Sequence, residues 1–141
     1  MQVRKYTAYS ERALYYLCRM YAGQLDSGQE YGVLKPVIGI HFLGYEIFPE
    51  NDDFRFRSDL RDVRHPKLSL TDHLTLHIFE LPKLERKAYP GRKERKLFEW
   101  LYFFNHAHDE DETMIAHYTN PVIHKAHESL RQLSADEDTR R

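Results

Sequence analysis

The chain has very little cysteine. Cys18 is the single one in 141 residues, so no disulfide can form within it. It falls midway along an apolar-patterned helical stretch, where a buried, inert thiol is expected. No apolar run is long enough to span a bilayer, and no secretory leader pattern opens the chain. No membrane partner is therefore expected, and a cytoplasmic location is the default. Net charge is close to absent as well: 21 Lys and Arg against 22 Asp and Glu leave −1. That balance removes any whole-molecule electrostatic case for nucleic acid and restricts such contact to a local patch. The 6 glycines form no phosphate-cradling loop, and no nucleophilic triad is visible. There is no internal repeat, no Gly/Ser linker and no low-complexity tract, and hence no sign of a domain boundary.

Aromatic residues are plentiful, with 10 Tyr and 8 Phe, and the apolar fraction of 41% and charged fraction of 30% suit a globular protein. The length allows one domain with a core and is too short to expect two. A long helix is expected from Lys5 to about Leu25, with Leu14, Leu17, Tyr21 and Leu25 as its core face and Gly28 as its stop. Val37 to Phe48 is apolar on both alternating faces, as in a strand covered on both sides. Phe54-Arg55-Phe56-Arg57 alternates apolar and basic, which predicts a half-buried strand running towards Val63. A third strand spans Leu70 to Leu81, with Leu74, Leu76 and Ile78 on one face. Three strands joined by short turns suggest an antiparallel meander. A second helix is predicted over Lys93 to Asn105, with Leu97, Trp100, Leu101 and Phe104 as its apolar stripe. The acidic run Asp109 to Glu112 favours a following helix start. Asn120-Pro121 reads as a cap and first-turn proline. The last helix then uses Ile123, Ala126, Leu130 and Leu133.

Five blocks carry a resemblance to a known family: Arg12-Ala13-Leu14-Tyr15-Tyr16, Leu34-Lys35-Pro36-Val37-Ile38, Leu70-Thr71-Asp72-His73-Leu74, Phe79-Glu80-Leu81-Pro82-Lys83 and Leu133-Ser134-Ala135-Asp136-Glu137. In this order they resemble the PD-(D/E)XK nuclease family of transposases. The resemblance implies an α/β, partial restriction-endonuclease-like fold: a long N-terminal helix, a three-stranded, mostly antiparallel sheet and C-terminal helices. It also implies a single partial nuclease-like domain over 1–141. Relatives resemble metal-dependent DNA cleavers associated with transposition and recombination. Their carboxylates hold a divalent cation, Mg²⁺ in the intact family, which polarises the scissile phosphate and activates a water.

In that family the long helix follows a strand carrying Glu-x-Gln, and an earlier strand carries a catalytic Asp. Gln2 can stand for the motif's Gln. The Glu would fall just ahead of Met1 and the Asp further upstream, while relatives continue past the Leu133–Glu137 block. The resemblance thus implies a piece cut at both ends, with Gln2 the sole remnant of the catalytic motif, no metal held and no cleavage by this piece alone. The alternative is a non-enzymatic accessory protein that binds DNA or the intact nuclease. Without the preceding strands, Val37 to Phe48 becomes a sheet edge, and self-association is expected.

The remaining constellations each have a plain reading beside the functional one. Lys5, Arg12 and Arg19 recur every seven residues, with Tyr9 and Tyr16 beside them. They form either a stripe for DNA phosphates or a solvated face of snorkelling side chains. Arg86-Lys87, Arg92-Lys93 and Arg95-Lys96 crowd around Pro90-Gly91, as a phosphate-contacting loop or as a solvated one. His73 and His77 lie on one face of a strand, roughly 13 Å apart, too far for one ion. His106 with His108 and Asp109, and His124 with His127, are better spaced but lack the third and fourth ligands that zinc needs. Asp59, Asp62, Asp72 and Glu80 are either a replacement carboxylate site or charges on a wet sheet face.

Overall fold

The computed structural model describes residues 7–86, 94–106 and 118–139. Three strands form one sheet: β1 (Val37–Leu43), β2 (Arg55–Arg61) and β3 (Ser69–Glu80). Helix α1 (Tyr9–Ala22) precedes them, and α2 (Arg95–His106) and α3 (Pro121–Thr139) follow. The chain divides into two compact units, Met1–Lys83 and Leu84–Arg141.

The α/β class implied by the resemblance holds, and the sheet is mixed. Its order is β1-β3-β2, with β3 parallel to β1 and antiparallel to β2. The expected meander would have put β2 in the middle. Composition explains why it does not sit there. Arg55, Arg57, Asp59 and Arg61 make β2 a charged strand, and charged strands belong at sheet edges. The more apolar β3 takes the centre instead. β1 occupies the other edge, shorter than the sequence suggests, since pairing ends at Leu43.

One sheet face is covered by α1. Tyr9, Ala13, Leu43 and Ile78 form the buried cluster, with Tyr45, Ile47, Phe56 and Leu76 packed against it. The buried residues of α1 are Tyr9, Ala13 and Leu17. The buried stripe is thus rotated from the one expected, and Leu14 is exposed. The rotation has a packing cause. Ala13 is small, and Gly39 on β1 lets the helix come close. A Cβ at residue 39 would lie 2.9 Å from Leu76 Cδ1 and 3.2 Å from Leu17 Cδ2. Cys18 turns outward with Leu14 and is exposed, contrary to the buried thiol expected. The helix ends on Gly23, and Gly28 (φ 87°) serves the turn that follows. On the opposite sheet face, Ile38 and Ile40 are 59% and 58% exposed. The half of β1 expected to be covered on both sides is therefore bare on one.

A buried ion pair closes the first unit. Glu80 and Lys83 are 0% and 1% exposed. Glu80 Oε1 accepts from the amides of Ile47 (2.7 Å) and Phe48 (2.8 Å). The Lys83 ammonium meets Glu80 Oε2 and donates to the carbonyls of Phe48 (2.8 Å) and Asp53 (3.0 Å). It also stands 5.0 Å from the Phe56 ring centroid. The pair ties the irregular 44–54 connection to the end of β3. Glu80 is therefore an internal anchor, not a charge on a wet face.

In the second unit, Phe98, Glu99, Leu101 and Phe103 are the buried residues of α2. The stripe is again rotated, and Phe104 is exposed. Glu99 sets the rotation. Its carboxylate accepts from Thr119 N (3.0 Å), Thr119 Oγ1 (2.8 Å) and Asn120 N (3.2 Å), at the start of α3. Asn120 Oδ1 in turn accepts from Val122 N (3.0 Å), the cap expected ahead of Pro121. Ile123 is buried with Phe103 and Tyr118, and Ala126 packs against them. Leu130 and Leu133 are exposed. The acidic run Asp109 to Glu112 lies outside the described residues.

Lys83→Met leaves the Glu80 carboxylate buried without its cation and is expected to cost about 3–5 kcal/mol. Glu80→Gln combined with Lys83→Met should cost less than the sum of the two single changes. Urea unfolding of all four forms, read as a double-mutant cycle, checks this.

Candidate functional site

Of the residues singled out from the sequence, Gln2 and Lys5 lie outside the described residues. So do most of the basic loop around Pro90-Gly91, and His108 with Asp109. Arg12 and Arg19 stand exposed on α1, two turns and about 10 Å apart along the axis. Tyr15 and Tyr16 fill the space between them at i+3 and i+4, 60% and 52% exposed. Their rings meet edge to face at 5.7 Å between centroids. Met20 extends the exposed stripe. Tyr9 does not belong to it: it is buried against the sheet. The helix thus presents a continuous basic and aromatic ridge, Arg12-Tyr15-Tyr16-Arg19. Tyr15 could have been found from the i, i+3, i+4, i+7 spacing alone.

Two tyrosine–histidine contacts hold α1 in place beneath that ridge. The Tyr9 hydroxyl meets His41 Nδ1 on β1, and the Tyr21 hydroxyl lies 2.8 Å from His73 Nδ1 on β3. Burial pushes the Tyr9 phenol up to about 12, with Tyr45 adding to the shift. Burial also lowers His41 below its ordinary value. Tyr9 is therefore a proton-bearing donor to a neutral imidazole. Neither group is activated for chemistry.

His73 and His77 do not share a face as a regular strand would have them. Pairing jumps from Asp59–Thr75 to Leu60–Thr71, which breaks the alternation between the two histidines. His73 reaches α1, while His77 pairs in register with Ile40 and Arg57. His124 Nε2 contacts the Tyr118 carbonyl at 2.9 Å, and His106 contacts Glu85.

The described carboxylates do not converge. Arg61 grips Asp59 through two hydrogen bonds (2.6 and 3.0 Å), and Arg57 lies 3.5 Å away. The Arg61 hydrogen bond holds the Asp59 carboxyl below its usual range and raises the guanidinium in turn. Asp62 Oδ1 accepts from the amides of Arg64 (3.0 Å) and His65 (2.7 Å), and His65 Nδ1 lies 2.7 Å from it. The His65 contact, first of these causes, lowers its pKa. Glu80 and Glu99 have the partners already given. Among the described residues no group of three or more His, Cys, Asp or Glu could hold a metal ion. These residues therefore do not fit a catalytic divalent cation, and the replacement carboxylate site is not assembled. No helix among them is long and apolar enough to cross a membrane.

A family model described as PD-(D/E)XK nuclease family transposase matches residues 1–141. No curated protein and no solved structure matches the chain.

The His41 contact has a pH signature. Its folded pKa lies below the ordinary 6.5, so the unfolded chain binds the proton more readily. The stability that His41 contributes is full above 6.5 and falls as pH drops through the folded value. Tyr9 acts at the other end, where stability falls as pH rises from 10.0 towards about 12. Urea midpoints measured across both ranges should decline at each end. His41→Gln should flatten the acid decline, and Tyr9→Phe the alkaline one.

Proposed function

The chain belongs to the PD-(D/E)XK nuclease family of transposases, and from that premise we propose that it is a DNA-engaging portion of such a nuclease that does not cut DNA by itself. The observation that carries this reading is the engagement of four acidic side chains, while Asp72 stands exposed and apart from them. Glu80 holds Lys83 and two backbone amides, Glu99 holds the start of α3, and Asp59 and Asp62 hold the turn between β2 and β3. A carboxylate committed to an arginine or to amides is a poor ligand for Mg²⁺, because the ion would have to displace those partners. In family members the cation belongs to an Asp and to a Glu-x-Gln strand ahead of the helix. Gln2 matches the Gln, and a neutral amide supplies no charge for an ion.

DNA is the partner that family membership suggests, and the ridge of α1 supports it. Arg12 and Arg19 are spaced along one face, with tyrosine rings between them. Cations there would meet phosphates, and exposed rings suit stacking or sugar contact. The same ridge favours a second reading, in which the chain is an accessory protein that binds DNA or an intact nuclease without any hydrolysis. β1 adds a further proposal. Its edge position and the bare Ile38 and Ile40 support self-association through this side of the sheet.

Nicking of supercoiled plasmid in Mg²⁺ or Mn²⁺ tests the proposal. The 141-residue chain should leave plasmid intact. A version with an Asp-bearing strand and a Glu-x-Gln strand joined ahead of α1 should nick it. Cleavage by the shorter form, abolished by neutralising one of its own carboxylates, would overturn the reading. DNA binding without cleavage by both forms would favour the accessory role. In sedimentation, the chain should run larger than a monomer, and Ile38→Lys should shift it towards the monomer.

A further inference from the structure

The β2–β3 hairpin extends beyond the part of β3 that pairs with β1. β1 pairs with Leu74 to Glu80 of β3 and no further. The earlier part of β3, from Ser69, pairs with Leu60 and Arg61 of β2 alone. The hairpin therefore continues past the three-stranded region as a two-stranded antiparallel ribbon. Register shifts on both sides of Leu60 add local twist.

The tip of this ribbon is preformed. Arg61 holds Asp59 and also donates to the Pro66 carbonyl at 2.9 Å. Asp62 N donates to Leu68 O (3.0 Å) and Leu68 N to His65 O (2.8 Å). With Asp62 capping Arg64 and His65, the turn is fixed by its own hydrogen bonds. A rigid tip loses little conformational freedom on binding.

Its surface combines two features. Five cations (Arg55, Arg57, Arg61, Arg64 and Lys67) face three aspartates over residues 55–72, in a chain whose net charge is −1. Two of those aspartates, Asp59 and Asp62, are committed to arginine and to turn amides. Arg64 and Lys67 are exposed at the turn itself. Between the cations stand exposed apolar side chains. Val63 is 95% exposed and Leu70 81%. Leu60, Leu68 and Leu70 line an open hollow together with Arg61, Asp62 and Ser69.

We propose that the β2–β3 ribbon is a duplex-DNA-binding element, with Arg64 and Lys67 on phosphates and Val63, Leu68 and Leu70 facing the groove. The inference rests on the DNA reading given above and adds a surface distinct from α1. A two-stranded ribbon has the width that the major groove of B-DNA admits. Apolar side chains there have suitable partners in thymine methyls and deoxyribose faces. The cations supply the sequence-independent attraction. The excess of cations over residues 55–72 favours a polyanion, and among polyanions the family points to duplex DNA.

Binding of the 141-residue chain to a short fluorescent DNA duplex, followed by anisotropy over a series of NaCl concentrations, tests it. Arg64→Ala with Lys67→Ala should weaken binding about tenfold and reduce the slope of log K against log salt by about 2. Val63→Ser should weaken binding and leave that slope unchanged. All three positions are exposed, so circular dichroism should show unaltered folding. If the native chain binds duplex and the double variant binds with the same affinity and slope, the ribbon assignment is wrong and the DNA reading stands. If the native chain binds no duplex at any salt, both fall.

Discussion

The contact between Glu80 and Lys83 organises the first unit. A carboxylate and an ammonium are both removed from water, which is costly unless each finds several partners. Here each does: two amides and the cation for Glu80, two carbonyls, an aromatic face and the anion for Lys83. Those partners come from the segment between β1 and β2. One ion pair thus closes off the polar backbone of an irregular connection that has no ladder to join. That connection must carry the chain from one sheet edge to the other, because β3 lies between β1 and β2. The buried pair is what makes such a crossing compatible with a dry core.

The second unit repeats the solution with Glu99, which has the Arg95 guanidinium 3.9 Å away. Glu99 lies mid-helix, where an acidic residue would ordinarily face solvent, and turns inward to receive the amides that begin α3. In both units a buried carboxylate collects backbone N–H groups at the end of an element. This accounts for the two most buried acidic residues without any catalytic role.

Much of the element order was legible in the sequence, because strand and helix periods are local. α1, the three strands, α2 and the Asn120-Pro121 start of α3 all stand close to where periodicity places them. What could not be read depends on contacts between distant residues. The rotation of α1 needs Gly39, and the rotation of α2 needs Thr119. The central position of β3 follows from a comparison of β2 with β3 that short turns alone do not prompt. The same holds for the candidate surfaces. The spacing of Arg12 and Arg19 was visible, but the burial of Tyr9 and the exposure of Tyr15 turn on which side of α1 meets the sheet. The Phe79–Lys83 block carries part of the family resemblance, yet nothing in its sequence announces that both charges are buried together.

The height at which α1 rides above the sheet is set by a side chain that does not exist. At Gly39 the side-chain ends of Leu17 on α1 and Leu76 on β3 occupy the space a methyl group would claim. A methyl group at residue 39 would have to displace those leucine ends, while Tyr9 and Tyr21 hold the helix through their hydroxyls to β1 and β3. The leucine packing beneath the outer ridge therefore has room only because residue 39 carries a hydrogen atom there.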